Sequence, residues 1–240
     1  MDYTYEDIAG MIDHSLLSPS MTDAELEEGC RIADEYGTVT VCIKPYYTAR
    51  AAELLADSAT KVTTTVGFPD GGHTTAVKVA EAERALADGA EELDMVSNIG
   101  KVLSEDWDFV RADIQQVVNA AHEGGALIKV IFENDLLPED SYKIALCEIC
   151  SEAGADWVKT STGYNYVKGA DGKYSYAGAT DHDLKLMREH SAPEVQVKAA
   201  GAVRSLDRLL EVRALGVTRV GASRTVKMLD ECKRRLGIES

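Results

Sequence analysis

The chain has 240 residues, 45% of them apolar, with 41 acidic against 25 basic side chains and a formal net charge of −16. That length suits one large α/β domain with a substantial core, and the acidic balance excludes a general nucleic-acid or anionic-membrane surface, since both need basic patches. The opening MDYTYEDIAGMIDHS has no basic region followed by an apolar run, and no apolar stretch is long enough to span a bilayer, so a cytoplasmic protein without signal peptide is expected.

Strand and helix signals alternate along the chain with no Pro/Ser-rich linker between them. A strand is predicted at 11–17 and a helix at 23–36, then strand 39–44 and helix 46–57, strand 61–68 and helix 74–87, strand 92–97 and helix 106–122. The second half continues with strand 127–133 and helix 139–152, strand 156–160 and helix 181–189, strand 195–200 and helix 205–214, and strand 217–222 and helix 225–236. Thr22 with Glu25 has capping-box spacing, Thr180 is a plausible N-cap, and Gly37, Gly89, Gly124, Gly154 and Gly216 follow helix ends. Eight such units in this length predict a TIM (β/α)₈ barrel of a single domain, 1–240, with its site at the C-terminal ends of the strands. The five cysteines are scattered and odd in number, which fits a reducing compartment, and Cys147 and Cys150 share one face of a predicted helix, which favours core packing over redox or metal chemistry.

Read with period two, each strand has an apolar phase that should face the helices: Val39, Val41 and Ile43, Leu93 and Met95, Ile128, Val130 and Phe132, Val195 and Val197. The other phase should face the barrel axis. It holds Asp13 and Ser15, Thr40 and Cys42, Glu92 and Asp94, Lys129 and Glu133, Lys159 and Ser161, and Gln196 and Lys198. A barrel that serves only stability fills its axis with branched aliphatic groups, and lysines converging there are costly unless paired or used.

Lys159 and Lys198 fall on successive strands in the same inward phase, so their ammonium groups should approach within several ångströms. Desolvation and like charge both disfavour protonation, and each should push a lysine pKa downward. Bringing a lysine from about 10.4 to about 7 takes roughly 4 to 5 kcal/mol. The neutral amine can attack a carbonyl and form a Schiff base, an electron sink made without a cofactor. Asp94 is then the candidate general base or water-positioning group, with Asp13 and Glu133 balancing the other lysines. The histidines, His14, His73, His122, His182 and His190, show neither H-x-H nor HExxH spacing, and GxSxG and GxGxxG are absent, so no metal and no cofactor is expected. His14 reads as a packed or hydrogen-bonded strand residue.

The runs IDHSLL at 12–17, VCIKP at 41–45, VGFPDG at 66–71, ELDMVSNIG at 92–100, KVIFEN at 129–134, DWVKTSTGY at 156–164 and VKAAGAVR at 197–204 together resemble the deoxyribose-phosphate aldolases. The resemblance implies a TIM barrel and a class I aldolase that cleaves 2-deoxy-D-ribose 5-phosphate to glyceraldehyde 3-phosphate and acetaldehyde. It makes Lys159 the Schiff-base lysine, Lys198 the lysine that depresses its pKa, and Asp94 the proton relay. It also implies a phosphorylated sugar or aldehyde as the small-molecule partner and a homo-oligomer, a dimer or larger.

Three departures from the family pattern stand out. Gly201 is followed by Ala202 where a Gly-Gly pair is usual. The last strand ends GASRT at 221–225, where Ser223 matches the phosphate-cradling run and Arg224 does not, although an arginine at a helix N-terminus suits a phosphate or a carboxylate. An insertion at 165–176 follows Thr162 and Gly163, carrying Tyr166, Lys168, Lys173, Tyr174 and Tyr176, and reads either as a surface loop or as a lid over the pocket. The C-terminal RLGIES has no tyrosine to act as a proton-shuttling tail. The expected site therefore has Lys159, Lys198 and Asp94 in the chemistry, and Asp13, Ser15, Cys42, Lys129, Thr162, Gly163, Gly201, Ser223 and Arg224 around the substrate. The rivals are a same-mechanism aldolase for another sugar phosphate or sugar acid, a Schiff-base dehydratase or isomerase, and a sugar-phosphate binding protein with a vestigial site.

Overall fold

The computed structural model describes residues 2–169 and 171–238, so residue 170 of the insertion and the last two residues of RLGIES lie outside the described residues. In chain order the elements are α1 (Tyr5–Ala9), β1 (Ile12–Leu16), α2 (Asp23–Glu35), β2 (Thr40–Ile43), α3 (Thr48–Leu54), β3 (Lys61–Val66), α4 (Thr75–Ala87), β4 (Glu92–Val96), α5 (Ile99–Leu103) and α6 (Trp107–Glu123). They continue with β5 (Leu127–Ile131), α7 (Asp140–Ala153), β6 (Trp157–Lys159), β7 (Val167–Lys168), β8 (Tyr174–Ser175), α8 (Asp181–His190), β9 (Gln196–Ala200), α9 (Leu206–Ala214), β10 (Val217–Ala222) and α10 (Thr225–Leu236). Eight of the strands close into one parallel barrel in the order β1-β10-β9-β6-β5-β4-β3-β2, while β7 and β8 form a separate antiparallel hairpin within the insertion.

Local chemistry accounts for the boundaries. Thr22 and Glu25 exchange both bonds of a capping box at the start of α2, Thr180 accepts from the Asp183 N–H to open α8, and α7 ends on Gly154 in the left-handed conformation. The helix predicted at 46–57 is shorter and begins as a 3₁₀ turn over Pro45–Tyr47, because Pro45 has no N–H to give and suits a first turn. Helices α1 and α5 and the hairpin were not foreseen; each is too short for periodicity to reveal.

The apolar strand phase packs outward against the helices as expected. Val41, Ile43, Leu93, Met95, Ile128, Val130 and Val197 are all fully buried in the layer between strands and helices. Cys147 and Cys150 are buried, unpaired side chains on α7 in that same layer. Ion pairs are buried here too: Lys78 of α4 donates to Asp113 of α6 at 2.6 Å and to the Val96 carbonyl at 2.9 Å, tying both helices to the end of β4, and Lys143 of α7 donates to Asp183 of α8 at 2.6 Å.

Candidate active site

Strand register places the charged residues of the axis side by side. Lys159 on β6 pairs in register with Lys198 on β9, and Lys129 on β5 pairs with Asp94 on β4. A single oxygen, Asp94 Oδ2, accepts from Lys159 Nζ at 2.6 Å and from Lys198 Nζ at 2.7 Å. Asp94 Oδ1 lies 2.9 Å from Lys129 Nζ, which also contacts Glu92 at 2.5 Å and Asp13 at 3.7 Å. Lys198 donates to Asp13 as well, and Arg219 bridges Asp13 at 2.7 Å and Glu92 at 3.0 Å.

The network thus sets four cationic side chains, Lys129, Lys159, Lys198 and Arg219, against three carboxylates, Asp13, Glu92 and Asp94. All seven are buried, so one uncompensated charge would be expensive, and loss of one proton removes it. Lys159 is the least compensated, because its one carboxylate oxygen is shared with Lys198. Burial, with a push from the Lys198 charge, lowers the Lys159 pKa against the pull of Asp94. Lys198 differs from the sequence expectation. Burial works to lower its pKa too, but Asp13 and Asp94 override that and hold it above the ordinary lysine value. One lysine of the pair is pushed toward the neutral amine while the other stays an ammonium. Burial acts to raise the Asp94 pKa, but Lys129, Lys159 and Lys198 outweigh it and hold the carboxyl well below the usual range.

Above this network opens a cavity of about 450 Å³ at the C-terminal ends of the strands. Of the expected residues, Ser15, Cys42, Lys159, Thr162, Gly163, Lys198, Gly201 and Ser223 line it. Asp94, Asp13 and Lys129 lie beneath, fully buried, with Asp94 against the cavity-lining Lys159, Lys198 and Cys42. Burial and the Asp94 charge push the Cys42 thiol up to about 11, so it is a neutral wall group.

Two expectations are corrected. Arg224 does not line this cavity; it precedes α10, exposed, on an outer groove of about 890 Å³ that it shares with Lys227 and Arg234 and that meets the cavity at Ser223. Glu133 does not balance a lysine. Strand β5 ends at Ile131 and Glu133 takes a left-handed φ of 62°, so the alternation cannot be extended to it. Its carboxylate instead accepts from the Thr162 N–H at 3.2 Å, from the Thr162 hydroxyl and from Asn165 Nδ2 at 2.8 Å.

Three further residues belong to the site. Arg219 completes the network, and a basic residue in the inward phase of the last strand was the signal for it; the register shift between Val217 and Arg219 shows where that strand departs from regularity. Arg204 and Tyr176 line the cavity, joined by a hydrogen bond of 2.8 Å from Arg204 Nη2 to the Tyr176 hydroxyl. Both sit on loops, where strand phase has nothing to say. Among the described residues Arg204 has no carboxylate partner, so its charge is free for an anion at the cavity mouth beside Gly201, Ala202 and Ser223.

Residues 8–222 match the model of the DeoC/LacD family aldolases. The chain is 55% identical over 237 residues to a deoxyribose-phosphate aldolase of Rhodopirellula baltica, covering 99% of this chain and 94% of that one. It is 44% identical over 225 residues to a deoxyribose-phosphate aldolase of Clostridium perfringens, covering 94% and 95%. Its fold matches the tetrameric deoxyribose phosphate aldolase of Aeropyrum pernix with a TM-score of 0.84 and 32% identity, over 96% of this chain and 92% of that one.

Proposed function

The chain belongs to the DeoC/LacD family of aldolases, and from that premise we propose how its barrel carries out the reaction. It is a Schiff-base lyase that reversibly cleaves 2-deoxy-D-ribose 5-phosphate to D-glyceraldehyde 3-phosphate and acetaldehyde. In our reading the neutral Lys159 amine attacks C1 of the open-chain sugar, water leaves, and an iminium forms. The C3 hydroxyl gives up its proton to a water that relays it toward Asp94 as the C2–C3 bond breaks and its electrons pass into the enamine. Glyceraldehyde 3-phosphate departs. Proton return to C2 and hydrolysis then release acetaldehyde and restore the amine.

Lys198 keeps its charge and, through the shared Asp94 oxygen, holds that carboxylate beside the imine. The phosphate lies at the other end of the cavity, with Arg204, Ser223 and the backbone turn at Gly201 and Ala202 around it. The observation that carries this reading is the pair of buried lysines on one carboxylate oxygen, of which only Lys159 has its pKa lowered. We further propose a homo-oligomer working in the cytoplasm. The tetrameric Aeropyrum relative and five buried, unpaired cysteines support it, and among the described residues no helix is long and apolar enough to cross a membrane.

The test is reductive trapping. Borohydride with acetaldehyde should fix a two-carbon adduct that peptide mass spectrometry finds on Lys159, alongside cleavage of deoxyribose 5-phosphate in a coupled assay. An adduct on Lys198 would reverse the two roles, and cleavage without any adduct would exclude the imine route.

A further inference from the structure

The 165–176 insertion is anchored at both ends by one short turn. After β5, Glu133 holds the entry stem through the Thr162 N–H and Asn165 Nδ2. Two residues on, Asp135 holds the exit stem, its Oδ1 accepting from the Ala177 N–H at 2.5 Å and its Oδ2 from the Gly178 N–H at 3.0 Å. Tyr166 and Tyr176 pack edge to face across the two stems at 5.2 Å, and the β7–β8 hairpin lies between them. The exit stem also rests on the β9 turn, where the Ala179 N–H donates to the Gly201 carbonyl at 3.2 Å.

The result is a fixed wall. The Tyr176 ring lies over Gly201 so closely that a Cβ there would stand 3.2 Å from its Cε2, and its hydroxyl accepts from Arg204. Lys159 is at the cavity floor and Tyr176 on its rim, so the ring bounds the part of the substrate farthest from the imine carbon.

We propose that Tyr176 is the residue that sets substrate length, closing the cavity behind a five-carbon sugar phosphate and excluding longer homologues. This rests on the aldolase reading above and adds to it the group that selects among sugar phosphates. One carbon more in a fitted pocket is worth roughly tenfold or more in discrimination. A wall made by a clamped aromatic ring can enforce this, since the ring cannot swing aside without breaking the stem contacts.

The experiment compares kcat/KM for 2-deoxyribose 5-phosphate and for 2-deoxyglucose 6-phosphate, one carbon longer. Tyr176→Ala should raise the six-carbon to five-carbon ratio by roughly tenfold, while borohydride trapping of acetaldehyde on Lys159 stays at the unmodified level, because a two-carbon donor never reaches the rim. Tyr176→Phe, which keeps the ring, should leave the ratio as it was and raise KM for the five-carbon phosphate through a looser Arg204. Asp135→Ala, which frees the exit stem, should move the ratio in the same direction as Tyr176→Ala. Parallel loss on both substrates, or loss of trapping in Tyr176→Ala, overturns the proposal by showing that the tyrosine only supports the fold. Failure of the unmodified chain to cleave either sugar defeats the aldolase reading itself and this inference with it. Five-carbon cleavage with an unmoved ratio in Tyr176→Ala defeats this inference alone.

Discussion

Lys159 and Lys198 have the same side chain, the same register and almost the same burial, yet opposite pKa directions, because Lys198 touches two carboxylates and Lys159 shares one. Removing the second lysine should therefore act on the first. In Lys198→Met the Asp94 Oδ2 is no longer shared with a second lysine and a repelling charge is gone, so the Lys159 pKa rises. The amine is active only when neutral, and the acidic limb of kcat/KM should move to higher pH as activity falls. With Lys159 protonated, Lys129, Lys159 and Arg219 still match Asp13, Glu92 and Asp94, so the same change should cost less stability than the roughly 3–5 kcal/mol of a buried charge left without a partner. A pH–rate profile alongside denaturant unfolding checks both effects. An unmoved limb would leave Lys198 a positioning group with no hold on the nucleophile's proton.

The turn after β9 shows what a single methyl group does to an element. Ala202 has a φ of 64°, the left-handed region that disfavours a Cβ by about 1–2 kcal/mol and costs glycine nothing. The Gly-Gly pair usual in the resembled family meets that requirement, and this chain does not. Ala202→Gly should stabilise the protein by up to about 1 kcal/mol after the added freedom of the unfolded glycine is counted, raising Tm by about 2–4 °C in a calorimetric scan. No gain would mean that the turn relaxes around the methyl. The departure was visible in the sequence at Gly201–Ala202, but its strain was not, since backbone angles follow from how the turn meets the exit stem at Gly178. The same boundary runs through the whole site. Asp13, Asp94, Lys129, Lys159 and Lys198 were legible because strand periodicity fixes which side faces the axis. Glu133 was misplaced because the alternation stops two residues before it, and Arg204 went unseen because loops obey no period; Tyr176 was legible as part of an insertion that reads as a surface loop or a lid, but its seat over Gly201 was not. Arg224 was misassigned because position at a helix start does not say on which side of the barrel wall a side chain emerges.

At the scale of the whole molecule, buried His14 and the charged axis make folding depend on acid in two stages. Burial holds the His14 imidazole, whose Nδ1 lies 2.7 Å from the Thr225 hydroxyl, down to about 4. Between the ordinary value of 6.5 and about 4 the unfolded chain therefore binds a proton that the folded chain refuses, and stability declines as the pH falls. Asp13 and Asp94 are held below the ordinary 3.8 by the lysines, against their own burial, and their contribution, complete above that value, is lost as the pH falls further. Denaturant midpoints measured from pH 7 to pH 3 should fall gently at first and steeply below about 4. In His14→Gln the first decline should flatten while the second remains; an unchanged first decline would assign it to other groups.

The turn at Glu133 and Asp135 also bears on how this barrel can change over evolutionary time. Because the two stems it grips are held close together whatever lies between them, the intervening segment closes a loop whose ends are already fixed. Doubling such a loop costs only about 0.6 kcal/mol in closure entropy. The chain between the stems can therefore be lengthened, shortened or exchanged while the lysine network below keeps its geometry, which separates the part of the molecule that chooses a substrate from the part that breaks the bond.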